Sequence, residues 1–180
     1  MQSKSPYLSS LTAMRGIAAL MVVVYHFSKI VLDDELLPRT QSSFVQKSYL
    51  MVDFFFILSG FIMAYVYGTW FVKKCNAHAL RQFFVARFAR LYPLHLFTLG
   101  WCVLLKILLQ VSGAMPGLAP KLQEMYNFKA LPAHLLLLNA FIPGAWFTFN
   151  VPSWSVSAEW YTYLVFPLLA WLAARQGMLL

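Results

Sequence analysis

Long apolar runs separated by short polar stretches dominate the chain. The first, from about Leu8 to Leu32, ends at the acidic cluster Asp33-Asp34-Glu35. A polar loop with Pro38, Arg39 and Lys47 follows, then a second run from about Ser48 to Val72 that stops at Lys73-Lys74. A connector carrying Arg81, Arg87 and Arg90 leads into a third run, about Leu91 to Val111, with His95 near its start and Lys106 near its end. Each run is close to the ~20 residues that a helix needs to cross a hydrocarbon core, and so predicts a transmembrane helix. Gly113, Pro116, Gly117 and Pro120 mark a loop. The next apolar piece, Leu131 to Ile142, is too short to cross before Pro143-Gly144 interrupts it, which predicts a re-entrant or interfacial segment. A fourth span is expected over about Val156 to Ala174, followed by Arg175. The pattern therefore predicts an all-α polytopic transmembrane helix bundle of about four spans plus that short segment.

Composition agrees with a lipid environment. The 180 residues are 61% hydrophobic and only 11% charged, with a mean hydropathy of +0.65. A soluble domain of this size needs more polar surface. The net charge of +8 does not point to nucleic acid, because the basic residues flank apolar runs and no aromatic-basic RNA-binding pattern occurs. They read as topology signals, with the basic connector on the cytoplasmic side. Lys4 precedes the first apolar run as in a signal peptide, but no small-residue cleavage pattern follows, so the run is expected to stay as an anchor. Cys75 and Cys102 have no metal spacing, the histidines are scattered, and no metal site is expected.

With the amino terminus inside, the spans place the far end of the first, the start of the second and the start of the fourth on one outer side. His26, Asp53 and Glu159 would share that side. Ionisable groups at membrane depth are costly and usually face a bundle interior or a wet cavity. Arg15 and His26 are eleven residues apart, about 20° from one another around a helix and about 16 Å apart along it, so they address one face from two depths.

A neutral His26 imidazole suits a general base near physiological pH; a structural histidine satisfied by a neighbouring helix is the alternative. Arg15 offers a planar fork for phosphate or carboxylate, or a headgroup-level topology residue. Asp53 is placed to orient His26 or pair with Arg15, or lies inert at the interface. Arg87 and Arg90, three residues apart on one helical side, suit phosphate recognition and equally lipid headgroups. Pro152-Ser-Trp-Ser-Val-Ser-Ala-Glu159-Trp-Tyr gathers hydroxyls, indoles and a carboxylate at the start of a span, where Ser and Glu also suit a helix cap. Ser59-Gly60 suits close helix packing.

Five blocks in order resemble acyltransferase family 3, membrane-bound O-acyltransferases of surface polysaccharides and related glycans. They are Arg15-Gly-Ile-Ala-Ala with His26, Val52-Asp-Phe-Phe-Phe-Ile-Leu-Ser-Gly-Phe, Phe84-Val-Ala-Arg-Phe-Ala-Arg-Leu-Tyr-Pro, Asn139 with the apolar run before it, and Pro152-Ser-Trp-Ser-Val-Ser-Ala-Glu-Trp-Tyr-Thr-Tyr-Leu-Val-Phe-Pro. The resemblance implies a bundle of about ten helices in all, in a bacterial inner membrane. That bundle would move an acyl group, usually acetyl from acetyl-CoA, to a hydroxyl of a carbohydrate or glycolipid acceptor. No bound cofactor is implied; acyl-CoA is the donor substrate.

Carried over, His26 would be the catalytic base, with Glu159 and Asp53 in the catalytic set. Arg15 would meet the donor, and Arg87 and Arg90 would form the cytoplasmic basic motif. Ser155, Trp154 and Glu159 match a tryptophan-serine-glutamate motif, with Ser157-Ala158-Glu159 where serine-valine-glutamate is more usual. Family members run to roughly twice this length. Residues 1–180 are thus expected to be the amino-terminal part of one transmembrane domain, whether by a truncated gene, a partial sequence or a split protein. A non-enzymatic transporter or assembly subunit, using the same groups as a proton or anion path, and an inactive remnant remain open at this point.

Overall fold

The computed structural model describes residues 9–30, 43–73, 76–117 and 120–176. The acidic cluster at 33–35, Pro38, Arg39, Lys4, Lys74 and Cys75 lie outside them. Among the described residues seven helices occur, in the order α1 (Ser9–Ile30), α2 (Ser43–Gln46), α3 (Met51–Lys73), α4 (Ala77–Val111), α5 (Pro120–Met125), α6 (Leu131–Leu135) and α7 (Ser153–Arg175). Short 3₁₀ turns lie at Lys47–Leu50, Met115–Gly117 and Phe128–Ala130, and no strand occurs among the described residues. The chain divides into two compact units, Met1–Trp70 and Phe71–Leu180.

Three stretches are long and apolar enough to cross a membrane: Leu11–Ser28, Ser43–Gly68 and Ala77–Val111. Their apolar side chains point outward, since at most 17% of any of these windows is buried within the structure. Ile17, Leu20, Ile57 and Phe97 are among those exposed. Contiguous apolar surface on this scale marks contact with lipid or with other helices, and the all-helical backbone satisfies its own polar groups as a bilayer requires. The chain is membrane-integrated. The fourth expected span, α7, is 23 residues long and at 1.5 Å per residue is about 34 Å. Its amino-terminal half carries Ser, Trp, Tyr and Glu, which keeps it below the hydropathy of the other three.

In the first unit, α1 packs against α2 and the turn that leads into α3. Tyr25 meets Tyr49, ring centroids 6.1 Å apart, and Ala18, Leu58 and Met63 are buried. The Ser48 hydroxyl donates to the Phe44 carbonyl at 2.9 Å, tying the turn to α2. The expected close packing at Gly60 is not made: a Cβ there would meet open space.

In the second unit, α4 packs against α7. The basic connector expected before the third span is itself helix, for α4 starts at Ala77 and runs 35 residues with Pro93 inside it. The Asn76 side chain caps it, accepting from the Ala79 amide at 2.8 Å. Nearly four turns of helix before Leu91 therefore carry the arginines.

Leu131 to Ile142 does not span. After α6 the backbone turns through 136–152 without regular structure, with Leu137 at φ +55° and Phe149 at φ +50°. Non-helical backbone at membrane depth is tolerated only where protein covers it, and here side chains supply the cover. One face of α4, the stripe Tyr92, His95, Leu99 and Lys106, receives this segment. The Tyr92 hydroxyl donates to the Leu135 carbonyl at 3.0 Å, His95 Nε2 donates to the His134 carbonyl at 2.9 Å, and Lys106 Nζ donates to the Tyr126 carbonyl. Beside that stripe, Asn150 Nδ2 donates to Thr98 Oγ1 at 3.1 Å.

Candidate active site

His26 is half-buried near the end of α1. Its Nδ1 lies 2.9 Å from the carbonyl of Val22, one turn earlier. A carbonyl only accepts, so Nδ1 carries the proton and the Nε2 lone pair is left for another group. Tyr25 meets the imidazole edge-on with centroids 5.3 Å apart. This is the tautomer that a base working through Nε2 needs, and α1 itself sets it. Asp53, exposed in the first turn of α3, does not orient the ring through Nδ1. Arg15 is half-buried on the same unbroken helix, so the offset of about 16 Å from His26 holds.

Arg87 and Glu159 meet at Tyr163. The Tyr163 hydroxyl donates to Glu159 Oε1, and the Arg87 guanidinium lies 5.8 Å from the centre of the same ring. Tyr163 is 2% exposed; Phe83 meets its ring edge-on at 6.5 Å and stacks on Phe166 at 6.0 Å. The sequence reading put Arg87 on a cytoplasmic connector and Glu159 on the outer side. The structure puts them at one level, because α4 begins well before the third apolar run and carries Arg87 alongside α7. Arg90, three residues on, is exposed, whereas Arg87 is half-buried.

Ser155 and Trp154 sit half-buried in the first turn of α7. The expected cap is not formed: Pro152 holds the N-cap position without a side-chain bond, and the Ser155 hydroxyl donates back to the Pro152 carbonyl at 2.9 Å. The neighbouring serines, not singled out from the sequence, are the buried ones. Ser157, fully buried, donates to the Leu137 carbonyl and accepts from the Ala140 amide at 3.3 Å. Ser153 accepts from Asn139 Nδ2 at 3.1 Å. Their spacing of four puts them on one face of α7, which was a legible signal.

Two further histidines are also placed by the structure. His134 is fully buried, and its Nε2 lies 2.8 Å from Thr148 Oγ1. That hydroxyl donates to the Ala145 carbonyl at 2.7 Å, so the imidazole donates to Thr148. The His95 and His134 rings stack, with centroids 6.3 Å apart. Burial, and secondarily the nearby His95, push the His134 pKa down to about 4, against a smaller opposing effect of the Ala145 backbone. No cluster of three or more metal-ligating side chains occurs among the described residues.

The model of a family described as "Acyltransferase domain" matches residues 8–179. Among curated relatives, the acyltransferase MdmB of Streptomyces mycarofaciens is 32% identical over 166 residues, which is 89% of this chain and 38% of that protein. Protein 2 in the picA locus of Rhizobium radiobacter is 34% identical over 153 residues, 83% of this chain and 72% of that protein. The chain thus spans well under half of the first relative's length. No solved structure matches it.

Proposed function

The chain belongs to acyltransferase family 3, and from that premise we propose that it moves an acyl group, acetyl by default, from acyl-CoA to a hydroxyl of a cell-surface carbohydrate or glycolipid. The site of action is the bacterial inner membrane. The observation that carries this reading is the His26 tautomer: Nδ1 is occupied by the Val22 carbonyl at 2.9 Å, leaving Nε2 as a base on a lipid-embedded helix.

In the reaction, Nε2 takes the proton of the acceptor hydroxyl while its oxygen attacks the thioester carbonyl. A C–O bond forms, the C–S bond breaks, and the proton passes from the imidazolium to the leaving thiolate of CoA. Arg15, on the same helix, faces the anionic donor. Arg90, exposed on α4, offers a cation suited to phosphate, while Arg87 is engaged at Tyr163 and holds α4 to α7 beside Glu159. Glu159 acts as a positioning residue, fixed by the Tyr163 hydroxyl. Asp53 lies in the first turn of α3, and Ser155 and Trp154 in the first turn of α7.

The test is transfer of labelled acetyl from acetyl-CoA in membranes containing the protein as the cell makes it, with the product recovered as an alkali-labile ester on carbohydrate. Ester that forms only with the intact protein supports the reading. Labelled acetyl-CoA left untouched, with anion or proton flux through proteoliposomes instead, overturns it in favour of a transport role.

A further inference from the structure

A cavity of about 930 Å³ opens between the end of α4 and the irregular segment, bounded by residues 123–133 on one side and 142–148 on the other. It stands apart from the groups given a chemical role above. Lys106 is 19 residues beyond Arg87 on α4, or about 28 Å along the helix. The volume suits a mono- or disaccharide.

Its lining mixes polar and apolar groups, and its charge is unbalanced. Lys106, Lys129 and Glu124 are the charged residues that line it, beside Tyr126, Asn127 and Thr148. Lys106 is only 7% exposed. Its ammonium donates to the Tyr126 carbonyl and lies 3.9 Å from the centre of the Phe128 ring. An ammonium has three donors, so these partners leave capacity for one more. Among the described residues no carboxylate pairs with it. A cation withdrawn from water against a neutral carbonyl and a ring is poorly compensated, and an anionic group in the cavity would complete it.

The cavity is also firmly built. The Phe149 amide donates to the Met125 carbonyl at 2.6 Å, and Tyr126, Phe128 and His134 all meet the Phe149 ring. Gly144, at φ +81°, makes the left-handed turn of the opposite rim, which a side chain would resist. Thr148 is fixed by His134 and Ala145 as described above. The wall is thus held in place before any ligand arrives.

We propose that this cavity binds a sugar carrying an acidic group, a carboxylate or a phosphate, with Lys106 and Lys129 taking the anion and Asn127 and Thr148 the hydroxyls. The choice of a sugar rests on the proposed carbohydrate acylation; the charge argument does not. If the basic connector lies inside, this site faces the outer side, where a surface glycan is met.

Binding is read by calorimetry on the full chain in nanodiscs, with D-glucuronate, D-glucose 6-phosphate and D-glucose as probes. One or both acidic sugars should bind at least ten-fold tighter than glucose, and the stronger of the two identifies the anion. Lys106→Met and Lys129→Met should each remove most of that preference. Should Lys106→Met fail to insert, the exposed Lys129 decides. Equal binding of glucose and the acidic sugars, binding of none, or an unchanged preference in a folded Lys129→Met overturns the proposal. Since no acyl donor is present, any of these results leaves the acyl-transfer reading to its own assay.

Discussion

Tyr163 donates its hydroxyl to the carboxylate of Glu159, one turn back along α7. The same ring takes the Arg87 guanidinium of α4 at 5.8 Å, so one buried phenol joins the arginine-bearing block of α4 to the glutamate-bearing block of α7. Replacing Tyr163 with Phe keeps the ring and its edge-on contact with Phe83 but deletes the donor. A hydrogen bond to a charged group is worth about 1.5–3 kcal/mol, and a loss in that range is expected in thermal unfolding in detergent. Acyl transfer should fall with it, by ten-fold or more, if Glu159 must be held in place.

Arg87 and Arg90 should separate experimentally. Arg87→Ala strips the cation from a half-buried helix interface and should lower both stability and transfer. Arg87→Lys should restore little, because an ammonium does not reproduce the planar guanidinium on the ring. Arg90 is exposed, so Arg90→Ala should change stability by no more than about 0.5 kcal/mol and act instead on the KM for acyl-CoA. Steady-state kinetics alongside melting curves checks both.

Ser157 holds the turn at Leu137, whose φ of +55° is strained for a non-glycine residue. Ser157→Ala leaves the Leu137 carbonyl and the Ala140 amide without this partner in a buried setting, at a cost of about 1–3 kcal/mol. Faster proteolysis between residues 136 and 150, with the spanning helices intact, is the expected signature. Ser155→Ala should not show it.

His134 gives the fold a pH dependence. Its folded pKa of about 4 lies below the ~6.5 of an unfolded histidine. Between those values the unfolded chain binds a proton that the native chain does not. Stability from this group is therefore full above about pH 6.5 and declines as the pH falls toward 4. His134→Gln should flatten that part of the curve, measured as melting temperature between pH 4 and pH 7.5.

The long helices α1, α3 and α7 were legible from the sequence because hydropathy acts on whole runs, and each begins and ends within a few residues of the expected limits; α7 nonetheless falls short of the apolarity that makes α1, α3 and α4 long and apolar enough to cross a membrane. The start of α4 was not. Its first turns carry arginines that read as a connector, yet helix geometry continues through them once Asn76 caps the end and α7 supplies a packing face. The short segment after Leu131 was recognised by its length, but not what stabilises it. Its tethers are single polar contacts from Tyr92, His95 and Thr98, residues far apart in sequence from the carbonyls and side chain they meet. At the site, His26 was singled out for its cost in a membrane. The bond to Val22 follows from a rotamer within the helix, which residue spacing alone does not specify. Ser153 and Ser157 were passed over for Ser155 because a motif was matched where helical periodicity would have chosen the buried pair.

In the proposed reaction His26 works through Nε2 while Nδ1 is held by the Val22 carbonyl. His26→Asn tests it most directly, because the asparagine amide can replace the Nδ1 donor but offers no basic nitrogen in place of Nε2. Transfer of labelled acetyl from acetyl-CoA should drop by roughly 10²–10⁴-fold, the usual contribution of a general base, with membrane insertion and melting temperature unchanged. Transfer within ten-fold of the wild-type rate in an inserted His26→Asn protein would contradict the account.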